Sequence, residues 1–242
     1  MKKPTLALLL WPVFPVLLSA DEPPKPPPLW AGKAEVSYVA TSGNTDTKTL
    51  GAAGEAEYSP LPWSAKIKFA YVHAESDGVD TAKSFLGMLR GARKLSARLE
   101  AFAEGDYFTD KFAGIDHRTT LQGGLSYLII APDPHSLKID GGLGYTWEDR
   151  TDGENRDFAI GRLGLLYVWK ISKTAEFSDE AIFTESFKDS SDWRFANVAS
   201  ITAGITTVLS VKVSYAISTL NEPVPGKKKT DTITSAALVA KF

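Results

Sequence analysis

The sequence predicts a single all-β domain, an antiparallel transmembrane β-barrel of about twelve strands, and three observations carry that expectation. Stretches of roughly 10–16 residues alternate apolar and polar side chains, as a strand does when one face meets lipid. The connections alternate as well, short on one rim and mostly longer or more charged on the other. Aromatic residues gather near both ends of the stretches, at the heights where a barrel meets the two membrane surfaces. Composition agrees: 43% hydrophobic residues over 242 is low for a bundle of membrane helices but suits strands that turn half their side chains to lipid. Twenty-seven basic and 29 acidic residues leave a net charge of −2, which points to neither nucleic-acid binding nor an acidic tail. The absence of cysteine excludes disulfide scaffolds, thiolate metal sites, cysteine nucleophiles and a lipid-modified N-terminal cysteine.

Residues 1–20 read as a secretory signal peptide. Lys2 and Lys3 precede an apolar run from Leu6 to Leu18, and Ser19-Ala20 places small residues at the cleavage position. A membrane span needs about 20 apolar residues, and this run is shorter and broken by Pro12 and Pro15. Residues 21–29 hold five prolines, a semi-rigid Pro-rich linker. Residues 30–242 are the expected barrel.

In the first strand Ala34, Val36, Tyr38 and Ala40 alternate with Lys33, Glu35 and Ser37. It breaks at Ser42-Gly43-Asn44-Thr45-Asp46, a hairpin signal. The second, Thr47–Tyr58, carries Leu50, Ala52, Gly54, Ala56 and Tyr58 on one face, and Pro60 and Pro62 end it. In the third, Trp63, Ala65, Ile67, Phe69 and Tyr71 alternate with Ser64, Lys66 and Lys68. After a polar loop at Glu75–Asp80, the fourth sets Phe85, Gly87 and Leu89 against Ser84, Met88 and Arg90. The fifth, Ala97–Phe108, sets Leu99, Ala101, Ala103, Gly105 and Tyr107 against Arg98, Glu100, Glu104 and Asp106. The sixth shows Leu121, Gly123, Leu125, Tyr127 and Ile129 on one side; the seventh shows Leu137, Ile139, Leu143, Tyr145 and Trp147 against Lys138, Asp140 and Glu148. The eighth shows Leu163, Leu165, Tyr167 and Trp169. The ninth, about Lys173–Phe187, is the poorest: if Phe177, Ala181 and Phe183 face lipid, so does Asp179, unless a bulge shifts the register. The tenth and eleventh recover the pattern through Phe195, Ala199 and Ile201, then Val211, Val213 and Tyr215.

The twelfth stretch, Thr230–Phe242, stops on an aromatic inside a regular alternation. It resembles the closing strand of a bacterial outer-membrane barrel, whose terminal aromatic is part of the signal read by the assembly machinery. It is expected to pair with Ala34–Thr41 and close the sheet. The leader, the Gly43-Asn44-Thr45-Asp46-Thr47 hairpin and the Thr230-Asp231-Thr232 strand ending in Phe242 together resemble the YdiY-like family, labelled salt-induced outer-membrane proteins. The resemblance covers Trp30 to Phe242 and rests on layout. It implies the bacterial outer membrane, reached by a cleaved signal peptide, and carries no catalytic residue.

Two residue sets follow from the threading. Trp30, Tyr58, Trp63, Tyr127, Trp169 and Phe242 fall near the short-turn rim, which holds both termini, while Tyr71, Tyr107, Tyr145, Trp147 and Tyr215 fall near the other. The inward charges are Glu55, Lys66, Lys68, Arg90, Arg98, Glu100, Glu104, Asp106, Lys138 and Asp140, continued by Glu148, Arg194 and Lys212. Hairpin folding puts Glu55 opposite Lys66 and Arg90 opposite Glu100, each pair contributing about 0.2–1 kcal/mol. Barrels of about 8 strands are filled by side chains and those of about 16–18 leave a channel. The ladder of mixed sign therefore reads first as a charge-paired structural lumen and second as a narrow ion or small-solute channel.

An enzyme is not expected. The three histidines form no ordered triad: His117 beside Asp116, with Asp110 and Asp106 across a loop, makes only a loose acid–histidine cluster. No His, Asp or Glu spacing repeats a metal-ligand pattern, so no metal or cofactor is expected. Asp149, Asp152 and Glu154 read as a hydrated face. Expected partners are outer-membrane lipid, lipopolysaccharide and, during biogenesis, the barrel assembly machinery. Lys227-Lys228-Lys229 reads first as a solvated loop and second as a contact for lipopolysaccharide phosphates.

Overall fold

The computed structural model describes residues 29–41, 47–131 and 133–242. The signal peptide, nearly all of the Pro-rich linker and the hairpin tip at 42–46 lie outside the described residues. Twelve strands follow in order: β1 (Trp30–Thr41), β2 (Thr47–Tyr58), β3 (Trp63–Ser76), β4 (Val79–Lys94), β5 (Leu99–Asp110), β6 (Ile115–Ile130), β7 (His135–Arg150), β8 (Asn155–Lys170), β9 (Ala175–Ser186), β10 (Trp193–Gly204), β11 (Leu209–Leu220) and β12 (Thr230–Lys241). Each pairs antiparallel with its chain neighbours and β12 returns to β1, giving a closed barrel. No helix among the described residues is long and apolar enough to cross a membrane. Crossing is left to strands, whose backbone groups are satisfied by their neighbours.

The outer surface is apolar. Val36, Ile67, Leu89, Leu121, Leu143, Leu163, Ile201 and Val213 are all more than half exposed there, which in water would be unfavourable at about 25 cal/mol per Å². The residues between them point into the lumen, where buried and half-buried polar side chains predominate.

Several boundaries differ from the sequence expectation. Between β3 and β4 there is no polar loop but a two-residue turn, Asp77-Gly78, with φ of 49° and 77°. Both central residues are left-handed, the type I′ geometry that matches strand twist and that an Asp-Gly pair favours. Ala in place of Gly78 is expected to cost about 1 kcal/mol, seen as a lower urea midpoint for the folded barrel in detergent. Strand β5 starts at Leu99, not Ala97, because Leu95 and Ser96 both donate backbone bonds to the Leu99 carbonyl. Arg98 therefore sits exposed in the turn and leaves the inward ladder.

Register shifts matter more. Tyr58 faces Ala65, so Glu55 lies directly opposite Lys68 rather than Lys66. Arg90 lies opposite Glu104 rather than Glu100. Both hairpins turn later than expected, and a later turn moves every downstream partner by an even step while keeping the same face inward. Strand β9 contains no bulge. Its register with β8 and β10 is continuous, so Asp179 does stay on the outer face, where Asn197 Nδ2 donates to it at 2.5 Å. Asp179 lies opposite Tyr167 on one side and Ala199 on the other, and Asn197 lies opposite Ala181. The bulges lie instead near Ala74, Phe108, Ile115 and Leu128.

Two features shape the barrel. On the inner face of β6 and β7, Gly124 and Gly142 are direct partners. A Cβ on Gly142 would lie 2.7 Å from the Gly123 carbonyl oxygen, and one on Gly124 would collide with the Gly141 carbonyl. The two backbones come close here, which the missing side chains permit. The closing seam is short. β1 meets β12 only from Lys33↔Lys241 to Val36↔Leu238, extended by two backbone bonds between Gly32 and Phe242. The expected pairing over Ala34–Thr41 is thus displaced toward the short-turn rim. Each strand keeps its other partner along nearly its whole length, β1 with β2 and β12 with β11.

Candidate functional site

Among the described residues the barrel encloses a lumen, and its chemistry is set by which strands face one another across it. Near the short-turn half, Lys66 reaches Glu57 at 3.0 Å and Glu55 at 3.6 Å. Lys68 reaches Glu55 at 3.7 Å and, from the other side, Glu180 at 3.3 Å. The second contact joins β3 to β9, six places apart in a ring of twelve, so it ties opposite walls together. Lys212 bonds Glu35 at 2.9 Å across the intervening β12.

A second group is centred on β4 to β8. Arg90 pairs with Glu104 at 2.9 Å, donates to Ser126 at 2.8 Å and lies over the Phe102 ring at 3.8 Å. Glu100 sits 3.9 Å from Arg90 and pairs with Lys138; Arg162 pairs with Asp140 and approaches Glu104 at 4.0 Å. Gln122 donates to Glu104 at 2.8 Å. Asp106 faces Thr120 in register. The ladder residues other than Arg98 therefore share one interior, with partners that are often diagonal rather than directly opposite.

At the long-loop end the arrangement is tighter. Glu148 has no exposed side-chain surface, and three arginines converge on its carboxylate: Arg118 Nε at 2.6 Å, Arg150 Nε at 2.7 Å and Arg194 Nη2 at 3.0 Å. Arg156 Nη2 lies 3.1 Å from the buried Asp192 carboxylate. The loop of residues 221–229 folds over this cluster. Arg150 donates to the Glu222 carbonyl at 3.0 Å, and Val224 is buried against Gly114, where an added Cβ would meet it at 2.7 Å. That loop joins β11 and β12 but rests on the β5–β6 connection, on the opposite side of the ring, so it crosses the mouth.

The histidines are occupied. His117 Nε2 lies 2.7 Å from Asp149 and Nδ1 lies 3.6 Å from Asp116; Asp110 instead accepts from the backbone amides of Phe112 and Ala113. His73 meets Asp80 at 2.8 Å, and His135 meets the Tyr167 hydroxyl at 2.8 Å. No group of three His, Asp or Glu side chains suited to a metal occurs among the described residues.

On the outer surface, Trp30, Trp63, Tyr127, Trp169 and Phe242 are exposed near one rim and Tyr107, Tyr145, Trp147 and Tyr215 near the other. Tyr58 is half-buried because it stacks on Trp30 at 4.5 Å, and Tyr71 is half-buried beside His73. Lumen residues not singled out from sequence include Glu35, Glu57, Arg118, Arg150, Arg162 and Glu180. Strict alternation with outward neighbours marks Arg162 and Glu180 as inward. Arg150 carried no such signal, because the charged run around it reads as a loop.

Residues 34–242 match the sequence profile of a family described as "Protein of unknown function, DUF481". The chain is 21% identical over 211 residues to "Uncharacterized protein YdiY" of Escherichia coli (strain K12), covering 87% of this chain and 81% of that protein. Its fold is similar to that of the COG4313 outer membrane channel from Pseudomonas putida F1, with a TM-score of 0.53 at 10% identity over 88% of this chain and 95% of that one.

Proposed function

The chain belongs to the family described as protein of unknown function DUF481, and from that premise we propose that it is an integral barrel of the bacterial outer membrane, exported by a cleaved signal peptide, whose lumen is closed by its own charges. The role is envelope-structural rather than that of an open porin. The single observation that carries this reading is the Lys68–Glu180 pair between opposite walls. An open pore of fixed charge selectivity needs a ring of unpaired charges of one sign, whereas here both signs neutralise each other within contact distance. The purified barrel in a planar bilayer is expected to show no sustained unitary current. Lys68→Ala combined with Glu180→Ala removes the bridge and is expected to produce current steps. Large steady currents from the unaltered protein would sink the closed reading.

A narrow channel is the second reading, and one observation favours it. Lys68 and Glu180 keep 29% and 42% of their side-chain surface exposed, so water reaches the pair and its separation costs little, about 0–1 kcal/mol. A non-enzymatic role is supported by His117, whose two nitrogens both face carboxylates rather than a hydroxyl nucleophile. Outer-membrane lipid and lipopolysaccharide remain the proposed surroundings, with Lys227–Lys229 on the long-loop side, and the assembly machinery the proposed partner in biogenesis.

A further inference from the structure

The charges are unevenly placed around the lumen. In the long-loop half, the inward positions of β11, β12 and β1 to β4 carry one ionic group, Asp231 at the rim end of β12, and none from Ser214 through Ser235, Ala237, Ser37 and Gly51 to Ala70. What they carry is small or apolar. Val39 and Ile233 flank the seam and Leu86 stands on β4; all three point inward, and they are 56%, 46% and 37% exposed. Val72 and Met88 share this wall. Inward orientation follows from alternation: Val39 is in phase with Glu35, which bonds Lys212 across the interior, and Leu86 with Arg90. Apolar side chains left bare inside an otherwise ion-paired lumen are the lining expected of a site for an apolar solute.

The same wall contains the incomplete seam. Above Val36↔Leu238 no further β1–β12 register follows, although Ser37 and Ala237 would be the next partners. Bare strand edges at membrane depth are tolerated only where they line a cavity rather than face lipid. The mouth is crossed by residues 221–229, and the short-turn side is barred by Lys68–Glu180. The slit is what remains. We propose that the long-loop half of the lumen is a binding chamber for a small, uncharged, apolar molecule, which exchanges with the surrounding membrane sideways through the β1–β12 seam. The sideways route rests on the closed lumen proposed above; the chamber does not, and bilayer currents test that closure separately.

The test uses the full barrel in nanodiscs with N-phenyl-1-naphthylamine, an uncharged apolar probe that brightens when it leaves water. Saturable fluorescence above that of empty nanodiscs is expected, weakened about tenfold by Leu86→Asp, which places a charge in the chamber. Heat-modifiable migration on gels checks folding of that variant, and Leu86→Asn serves if it fails. An anionic sulfonated relative of the probe is expected to bind far more weakly. A signal equal to that of empty nanodiscs, indifference to both Leu86 variants, or equal binding of the anionic probe overturns the chamber. For the route, Ser37→Cys with Ala237→Cys introduces the chain's only cysteines. Oxidation is expected to slow probe exchange about tenfold, with reduction restoring it. If the bond does not form, a bulky maleimide on Ser37→Cys must produce the same slowing. Unchanged exchange rates overturn the lateral route.

Discussion

Replacing Glu148 with alanine is expected to lower the stability of the barrel by about 3–5 kcal/mol, the cost of leaving buried charge without its partner. The effect is large because one carboxylate answers three guanidinium groups, Arg118, Arg150 and Arg194, at 2.6–3.0 Å with no exposed side-chain surface. Removing it leaves three like charges close together and mostly out of water, with Arg194 and Arg150 keeping only the longer 3.9 Å contacts to Asp192 and Glu154. The loop over the mouth should loosen as well, since Arg150 holds both Glu148 and the Glu222 carbonyl. Urea titration of the detergent-solubilised barrel, followed by tryptophan fluorescence, measures the first effect. Protease cleavage within 221–229 measures the second. Glu148→Gln keeps the shape but not the charge and is expected to fall between. A variant as stable as the parent would show that the arginines find other partners.

Valine at Gly124 is expected to be nearly as damaging, at about 3 kcal/mol or outright failure to fold. Its Cβ would run into the Gly141 carbonyl of the neighbouring strand, and backbone, unlike the tip of a flexible side chain, cannot turn aside. β6 and β7 would have to separate along the Gly123–Gly142 stretch, losing ladder bonds that lipid cannot replace. Gly91, which has nothing within 4 Å of an added Cβ, is the matched control, and Gly91→Val should leave refolding into detergent unchanged. The yield of the compact, heat-modifiable band in refolding assays separates the two.

The interior divides into parts that the sequence shows and parts it hides. Lys66, Lys68, Arg90, Glu100 and Glu104 were legible as inward because each stands between outward apolar neighbours, and a period of two needs no knowledge of the fold. Their partners were less legible. Glu55 meets Lys68 head-on because the hairpin turns at Leu61-Pro62 rather than earlier, and turn position is a matter of one or two residues that alternation does not register. Arg98 shows the same limit at a strand end: it fits the alternation, yet Ser96 accepts from its amide and holds it in a turn. The Asp77-Gly78 turn was readable from the dipeptide alone, and the flanking charges concealed it.

By itself the sequence determined the number of strands, their order and the face each turns outward. These are properties of neighbours in the chain, written in alternation and turn residues. Only the tertiary structure decided that Lys68 meets Glu180, that Arg194 reaches Glu148 and that residues 221–229 cross to Gly114. It also decided that the seam between β1 and β12 ends at Val36. The side-chain and loop contacts join strands three to six places apart around the ring, and the seam joins the two ends of the chain, so all depend on how the sheet closes. Its curvature belongs to the closed, twisted sheet as a whole, which no local pattern records.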